Sequence, residues 1–396
     1  MNDLVVLAIT MMTVGQIILS VSLLVVRAFK SATYFPLAVF LIANGVIALG
    51  PAVSSLLPNW YTTYIAFVFP ALFMLSPSLW LYVEGLTSDK PWRLQAKHAR
   101  QYALLGFGMV ITLLILSLPE EMRHAIFIEG ADVENGLALA VMVSVFLAIL
   151  LWLGQCIHTV FRVIYRLIGY RKQLKDLFAN NEQRELNWLN WLLLLAITAW
   201  LVSFISIFSS SILENSFFSQ RVEAVLSLIL VWCLAYFGLQ QKPGLIGHSI
   251  EAEPIEAEKS ITSITNNKIS TESDSNKKYQ RSALSKEQAE RIAEKINVAM
   301  AQDKHYLDSS LSLQKLASRV AISPNYISQT LNETLKMNFF DFVNKWRIEA
   351  AKPKIIANQD TVLTIALDVG FNARSSFYKA FKQETGVTPS EFRTQQ

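Results

Sequence analysis

The feature that most constrains this chain is a series of seven long apolar runs, at roughly 4–26, 34–57, 61–83, 102–118, 135–160, 188–213 and 222–240. About 20 apolar residues in a helix match the hydrocarbon core of a bilayer. None of the runs holds an Asp or Glu well inside it, Glu84 and Glu223 lying at ends. The sequence therefore predicts an all-α chain whose residues 1–242 form a seven-transmembrane-helix bundle. The connections sort by sign. Arg27 and Lys30 follow the first run, Lys90, Arg93, Lys97 and Arg100 the third, and Arg162, Arg166, Arg171, Lys172, Lys175 and Arg184 the fifth. The alternate connections hold only Arg123 and Arg221, beside Glu120, Glu121, Glu129, Asp132 and Glu134. The positive-inside rule then places the N-terminus outside and the C-terminal half in the cytoplasm, as expected for a multi-pass membrane protein. The first run has its basic residues after it, the reverse of a signal peptide, and reads as a retained helix.

The apolar half offers little chemistry. Ionisable groups deep in a bilayer are costly and usually functional; their near absence disfavours an ion-coupled transporter or proton relay. Cys156 and Cys233 sit inside apolar runs without disulfide or metal-ligand spacing, as small packed side chains. No phosphate loop, zinc-protease motif or Ser/His/Asp arrangement is present, so neither an enzyme nor a cofactor is expected. Pro70 and Pro77 should kink the third span, either shaping a ligand cavity or reflecting ordinary packing. Gln155 and His158, near the inner end of the fifth span, face headgroups or a ligand. Ser209, Ser210 and Ser211 are candidates for hydrogen bonds between helices. The basic stretch 162–185, with Tyr165, Leu167, Ile168, Tyr170 and Leu174, reads equally as an amphipathic segment on anionic lipid or as a solvated loop.

Beyond Lys242 the composition changes. Residues 243–283 are dominated by Ser, Thr, Asn, Glu and Lys without sustained apolar periodicity, the signature of a flexible polar linker. A coil of that length spans roughly 35 Å root-mean-square, a tether that leaves the following domain free to reorient. The helical period returns over 284–396. Ile292, Ile296 and Met300 mark an amphipathic helix, and SLQKLASRVAISPNYISQTLNETL follows. Leu313, Leu316, Ala317 and Val320 share one helical face. Ser323 suits an N-cap, Pro324 the first turn of a second helix, and Ile327 and Leu331 repeat its inner face. This is a helix-turn-helix layout over about 312–335. It recurs over about 361–385: Ile365, Ala366 and Val369 repeat the first copy at an offset of 49, and Phe377 and Phe381 at an offset of 50. The second turn is thus one residue longer. Gly370 supplies a permissive backbone there, and Gly386 is placed to end the last recognition helix. Phe339, Phe342, Val343, Trp346 and Ile348 mark a connecting helix.

The segments LASRVAISPNYISQTLNE, RIEAAK and TIALDVGFNARSSFYKAFKQETGVTPSEFR resemble the DNA-binding domain of the AraC/XylS transcription regulators over the last quarter of the chain. The resemblance implies seven helices in two helix-turn-helix subdomains joined by a long helix, with both recognition helices entering successive major-groove segments of double-stranded DNA. It places Asn325, Ser328 and Gln329 on the first recognition helix and Arg374, Ser375 and Lys379 on the second at positions that reach base edges. Lys336 and Lys382, at the far ends, suit phosphates. Arg or Lys can pair with guanine and Asn or Gln with adenine. One departure stands out: Pro353, in AAKPKII, falls where the family continues its connecting helix, and should kink or end it. The domain carries 15 basic against 12 acidic residues, so non-specific DNA affinity is expected to be weak and salt-sensitive.

The sequence thus predicts a membrane-bound, sequence-specific transcription regulator whose bundle senses a signal ligand that the sequence does not name. RNA polymerase and a second copy of the chain are the further partners expected. Dimerisation, changed presentation of the tether and proteolytic release all remain open as mechanisms, as does the sign of control. The alternatives are a transporter or membrane enzyme with an appended autoregulatory DNA-binding domain, and a C-terminal domain that binds protein instead of DNA.

Overall fold

A computed structural model describes residues 3–129, 136–181, 184–209, 220–241 and 284–395. Every regular element among them is helical. They cluster into two compact units. The first comprises the described residues through Leu167 and 186–241; the second comprises Ile168–Glu185 and 284–395.

In the first unit, α1 (Leu4–Ala28), α2 (Tyr34–Ala48), α3 (Gly50–Leu56), α4 (Tyr61–Leu86) and α5 (Ala103–Ser117) precede α6 (Gly136–Leu177), whose residues from Ile168 on belong to the second unit, and then α7 (Asn187–Ser209) and α8 (Gln220–Gln240). Among the described residues, six helical stretches are long and apolar enough to cross a membrane. The remaining expected span falls in α7, where Asn187–Ala199 is a shorter apolar helix. Pro70 and Pro77 both lie inside the 26-residue α4, which neither interrupts. Helices α4 and α5 approach closely at Gly108, where a Cβ would come within 3.1 Å of the Pro70 Cα. Thr112 seals that contact by donating to the Ala66 carbonyl at 2.7 Å. The basic residues that set the expected orientation also fasten helices together. Arg27 donates to the Leu239 carbonyl, Arg162 lies 3.8 Å over the Trp80 ring, and Arg166 binds Thr87 through Nε at 2.8 Å.

One expectation changes here. Helix α6, 42 residues in all, runs past the end of the fifth apolar run to Leu177, so the stretch from 162 is not an open loop up to that point. It buries Tyr170, Leu174, Phe178 and Ala179 and exposes Tyr165 and Ile168. Cys156 is packed 3.4 Å from the Ser76 hydroxyl, and both cysteines are free thiols. His158 is exposed and Gln155 half-buried. Ser210, Ser211 and the 243–283 linker lie outside the described residues.

In the second unit, α9 (Lys286–Gln302) opens on a Ser285–Gln288 capping box and is followed by α10 (Leu313–Val320) and α11 (Pro324–Gln329). Then come α12 (Phe339–Ala357), α13 (Val362–Asp368), α14 (Arg374–Thr385) and α15 (Pro389–Thr394). Two apolar cores form. One gathers Ile296, Met300, Leu316, Val320, Ile327, Leu331, Phe342 and Val343. The other gathers Ile355, Ile365, Val369, Phe371, Phe377 and Phe381. Helix α12 belongs to both, its first half feeding the former and Ile348, Ala351 and Ile355 the latter. Pro353 does not end α12, which runs on to Ala357. Pro353 and Glu349 are both exposed, so the carbonyl that loses its helical partner faces water, which can satisfy it.

Candidate nucleic-acid interface

Each helix pair of the second unit is built by local signals. Ser312 caps α10 by accepting from the Lys315 amide at 3.2 Å, and Thr361 caps α13 by accepting from Thr364 at 3.1 Å. Ser323 stands at the N-cap of α11, but its side chain makes no capping bond; Pro324 in the first turn fixes the entry instead. The turns hold a left-handed residue at equivalent positions, Ala321 with φ 50° and Gly370 with φ 97°. Gly370 has no alternative: a Cβ there would meet the Tyr306 carbonyl oxygen at 2.6 Å. Gly386, with φ 81°, ends α14.

Burial of Ile327 and Leu331 on one side of the first recognition helix turns Asn325, Ser328 and Gln329 away from the core. Their spacing of three and four residues puts them on one face. Asn325 is exposed and the other two half-buried. Gln329 donates to Glu333 at 3.0 Å, and Asn332 donates to the Ser328 carbonyl at 3.0 Å. Helix α11 passes into a wider-wound turn over Thr330–Thr334, and exposed Lys336 follows it in a left-handed conformation.

In the second pair, Phe377 and Phe381 are fully buried, and Arg374, Ser375, Lys379 and Lys382 are exposed. Arg374 is aimed by Tyr378: it donates to the phenol oxygen at 2.9 Å and its guanidinium lies 4.8 Å from the ring centre. The Tyr378 pKa is lowered, chiefly by its hydrogen bond to Ser390, with Arg374 adding to the effect against desolvation. The sequence reading missed Tyr378, although the 50-residue offset aligns it with Ser328. Among the described residues no side-chain hydrogen bond or ion pair engages the Lys336 or Lys379 ammonium, leaving both groups available to an anionic partner. The surface is polar and basic over two short helices, with donors suited to base edges and phosphates.

Between the pairs lies a residue that the sequence signalled only as part of RIEAAK. Arg347 is fully buried and donates to the carbonyls of Tyr306 at 2.8 Å and Asp308 at 3.0 Å. It also reaches Ala179 and Asn180. Burial pushes its pKa down to about 10, with the Asp308 charge opposing that shift. Desolvation works to raise the Asp308 pKa, but hydrogen bonds from Ser310 and Arg319 outweigh it and leave the carboxyl below its ordinary value.

The second unit thus presents two short helix pairs, each with an exposed polar or basic face, and known proteins of the helix-turn-helix kind resemble it. Residues 316–395 match the model of a helix-turn-helix domain, and the C-terminal part of the chain is an AraC-type domain. An uncharacterized HTH-type transcriptional regulator of Staphylococcus aureus (strain COL) is 33% identical over 100 residues, 25% of this chain and 13% of that protein. The regulator YtdP of Bacillus subtilis (strain 168) is 29% identical over 91 residues, 23% of this chain and 12% of that one. The C-terminal domain of AraT, a response regulator from Geobacillus stearothermophilus, is 29% identical across 29% of this chain and 89% of its own, with a TM-score of 0.24. The chain thus spans only about an eighth of the length of the two curated relatives.

Proposed function

We propose that this chain is a membrane-bound, sequence-specific DNA-binding transcription regulator. Its seven apolar helices would form a signal-sensing bundle in a bacterial inner membrane, with the helix-turn-helix domain in the cytoplasm. The observation that carries the reading is the doubled recognition surface: two helices, 50 residues apart in register, bury one face and present polar or basic side chains on the other. Arg374 and Lys379 suit guanine, Asn325 and Gln329 suit adenine, and Ser328 and Ser375 discriminate less. Lys336 and Lys382 suit phosphates, which position the protein without reading sequence. The two helices would occupy successive major-groove segments, with RNA polymerase and a second copy of the chain as further partners. Its HTH-type regulator relatives support control of transcription, and the apolar helices support the membrane half.

The test is to select genomic DNA fragments with the full chain in lipid nanodiscs at one fixed salt concentration. A shared sequence should emerge. Arg374→Ala should cost about 1–3 kcal/mol and relax preference at a guanine position. A folded chain that enriches no sequence, or one whose selection Arg374→Ala leaves unchanged, contradicts this function.

A further inference from the structure

The surface between the two helix pairs is already occupied by another part of the chain. Immediately beyond α6, Phe178 pairs with Ser312 in an antiparallel bridge, and the Ala179 amide donates to the Leu311 carbonyl at 3.1 Å. Ala179 is fully buried in the first apolar core, with Leu177 packed against the same cluster. Lys175 lies 5.9 Å from the Phe340 ring centre. Asn180 then spends its whole amide on the junction. Its oxygen accepts from Arg347 Nη1 at 3.0 Å. Its nitrogen donates to the Ser309 carbonyl and, at 3.2 Å, to the Gly370 carbonyl. One side chain therefore touches the segment leading into the first helix pair, the connecting helix and the turn of the second pair.

We infer that the junction between the two helix pairs is a docking site for residues 177–181 of this chain, and that this docked strap fixes the angle between the two recognition helices. The inference rests on the DNA-binding reading above. Three observations carry it. First, the strap fills a built site: Arg347 is fully buried, and Ala179 and Asn180 supply both acceptors of its Nη1, so loss of the Asn180 amide removes an acceptor from a buried guanidinium, a costly change. Second, the hydrogen bonds of Ala179 and Asn180 go to Ser309, Leu311, Arg347 and Gly370, none of which is among the side chains suited to DNA. The strap therefore does not act by covering the DNA surface; it acts on geometry. Third, the strap follows directly from α6, a helix that begins at Gly136 in the apolar half, and α7 starts at Asn187, six residues beyond Asn181. The strap is thus joined along the chain to an apolar helix on either side. This second attachment of the domain is separate from the 243–283 connection.

A docked strap holds both recognition helices ready for one duplex, so binding does not pay to align them. Its loss should weaken sites that use both helices and spare the contribution of either helix alone.

The experiment uses the full chain in nanodiscs and the DNA sequence recovered by the selection above. Asn180→Ala should lower affinity for the complete site by roughly tenfold, part of the gain that linking two binding elements provides. It should leave affinity for DNA carrying only one helix's half unchanged. Hydrogen exchange should quicken at Leu311, Gly370 and Phe371 in the same variant. A second variant restores the contact by another bond. Directly opposed residues of an antiparallel pair have Cα separations compatible with a disulfide, so Phe178→Cys with Ser312→Cys should close one. In the Asn180→Ala background, oxidation should recover the lost affinity and reduction should abolish it again. Unchanged affinity in Asn180→Ala, while Arg374→Ala weakens binding in the same preparation, overturns the strap. So does a formed disulfide that fails to rescue. Failure of the unmodified chain to bind any sequence, with Leu311 and Gly370 protected, instead overturns the DNA reading and leaves docking itself upheld.

Discussion

The two helix pairs of the C-terminal domain share a plan and differ in how each solves the same local problems. Both turns demand a left-handed residue; the second supplies Gly370 and the first makes do with Ala321. Such a conformation costs an L-residue about 1–2 kcal/mol and glycine far less. The first recognition helix is closed by aliphatic Ile327 and Leu331, and the second by Phe377 and Phe381. The chemistry they present also differs: Asn325, Ser328 and Gln329 are uncharged, whereas Arg374 and Lys379 are cations. The duplication therefore yields one helix with neutral amide and hydroxyl side chains and another that adds two cations. The strained turn sits in the first pair, and the turn against which other backbone packs tightly sits in the second.

Exchanging the turn residues should give opposite signs. Gly370→Ala places a methyl 2.6 Å from the Tyr306 carbonyl oxygen and adds the left-handed strain; an unfolding free-energy loss of about 2–4 kcal/mol is expected. Ala321→Gly should instead stabilise by about 1 kcal/mol, the relief of strain exceeding the extra freedom of the unfolded chain. Denaturant melts of both variants check this, and equal signs would show that the two turns are not equivalent. Salt dependence sharpens the chemical contrast. Lys379→Ala should reduce the slope of log K against log[salt] by about 1 if the ammonium reaches a phosphate, and should lose base preference with no slope change if it pairs with guanine. Gln329→Ala should leave the slope as it is in either case. The smallest effect is one of pH. The Asp308 pKa in the folded chain lies below its ordinary 3.8, so its contribution is complete above that value and is lost as pH falls through the lower, folded one. Arg319, which Asp308 holds at 2.8 Å, makes the first pair the one to loosen. Hydrogen exchange on α10 should accelerate in that acid window, and Asp308→Asn should remove the pH dependence.

Much of this was legible along the chain because it depends on neighbours three or four residues away. The stripe Leu313, Leu316, Ala317, Val320 is buried as its spacing predicts, and Gly370 and Gly386 stand where their φ values require glycine. The recurrence at offsets of 49 and 50 exposed the doubled plan without any structure. Tyr378 was within reach of the same offset, and its role in aiming Arg374 needed only that alignment to be followed one position further. Pro353 shows the limit of a local rule. Its helix continues because the lost hydrogen bond falls on the exposed side of α12, and which side is exposed depends on how α12 packs in two cores.

The sequence by itself determined the apolar runs, their charged connections, the two helix pairs and the side chains that face away from their cores. All of these follow from periodicity and local backbone preference. Only the tertiary structure decided that α6 runs on to Leu177 and that Ala179 and Asn180 occupy the junction. It alone gave Arg347 a buried place among carbonyls contributed by residues 179, 306 and 308. A buried guanidinium is tolerable only where several acceptors converge, and such convergence joins segments more than 120 residues apart, which no pattern of near neighbours encodes.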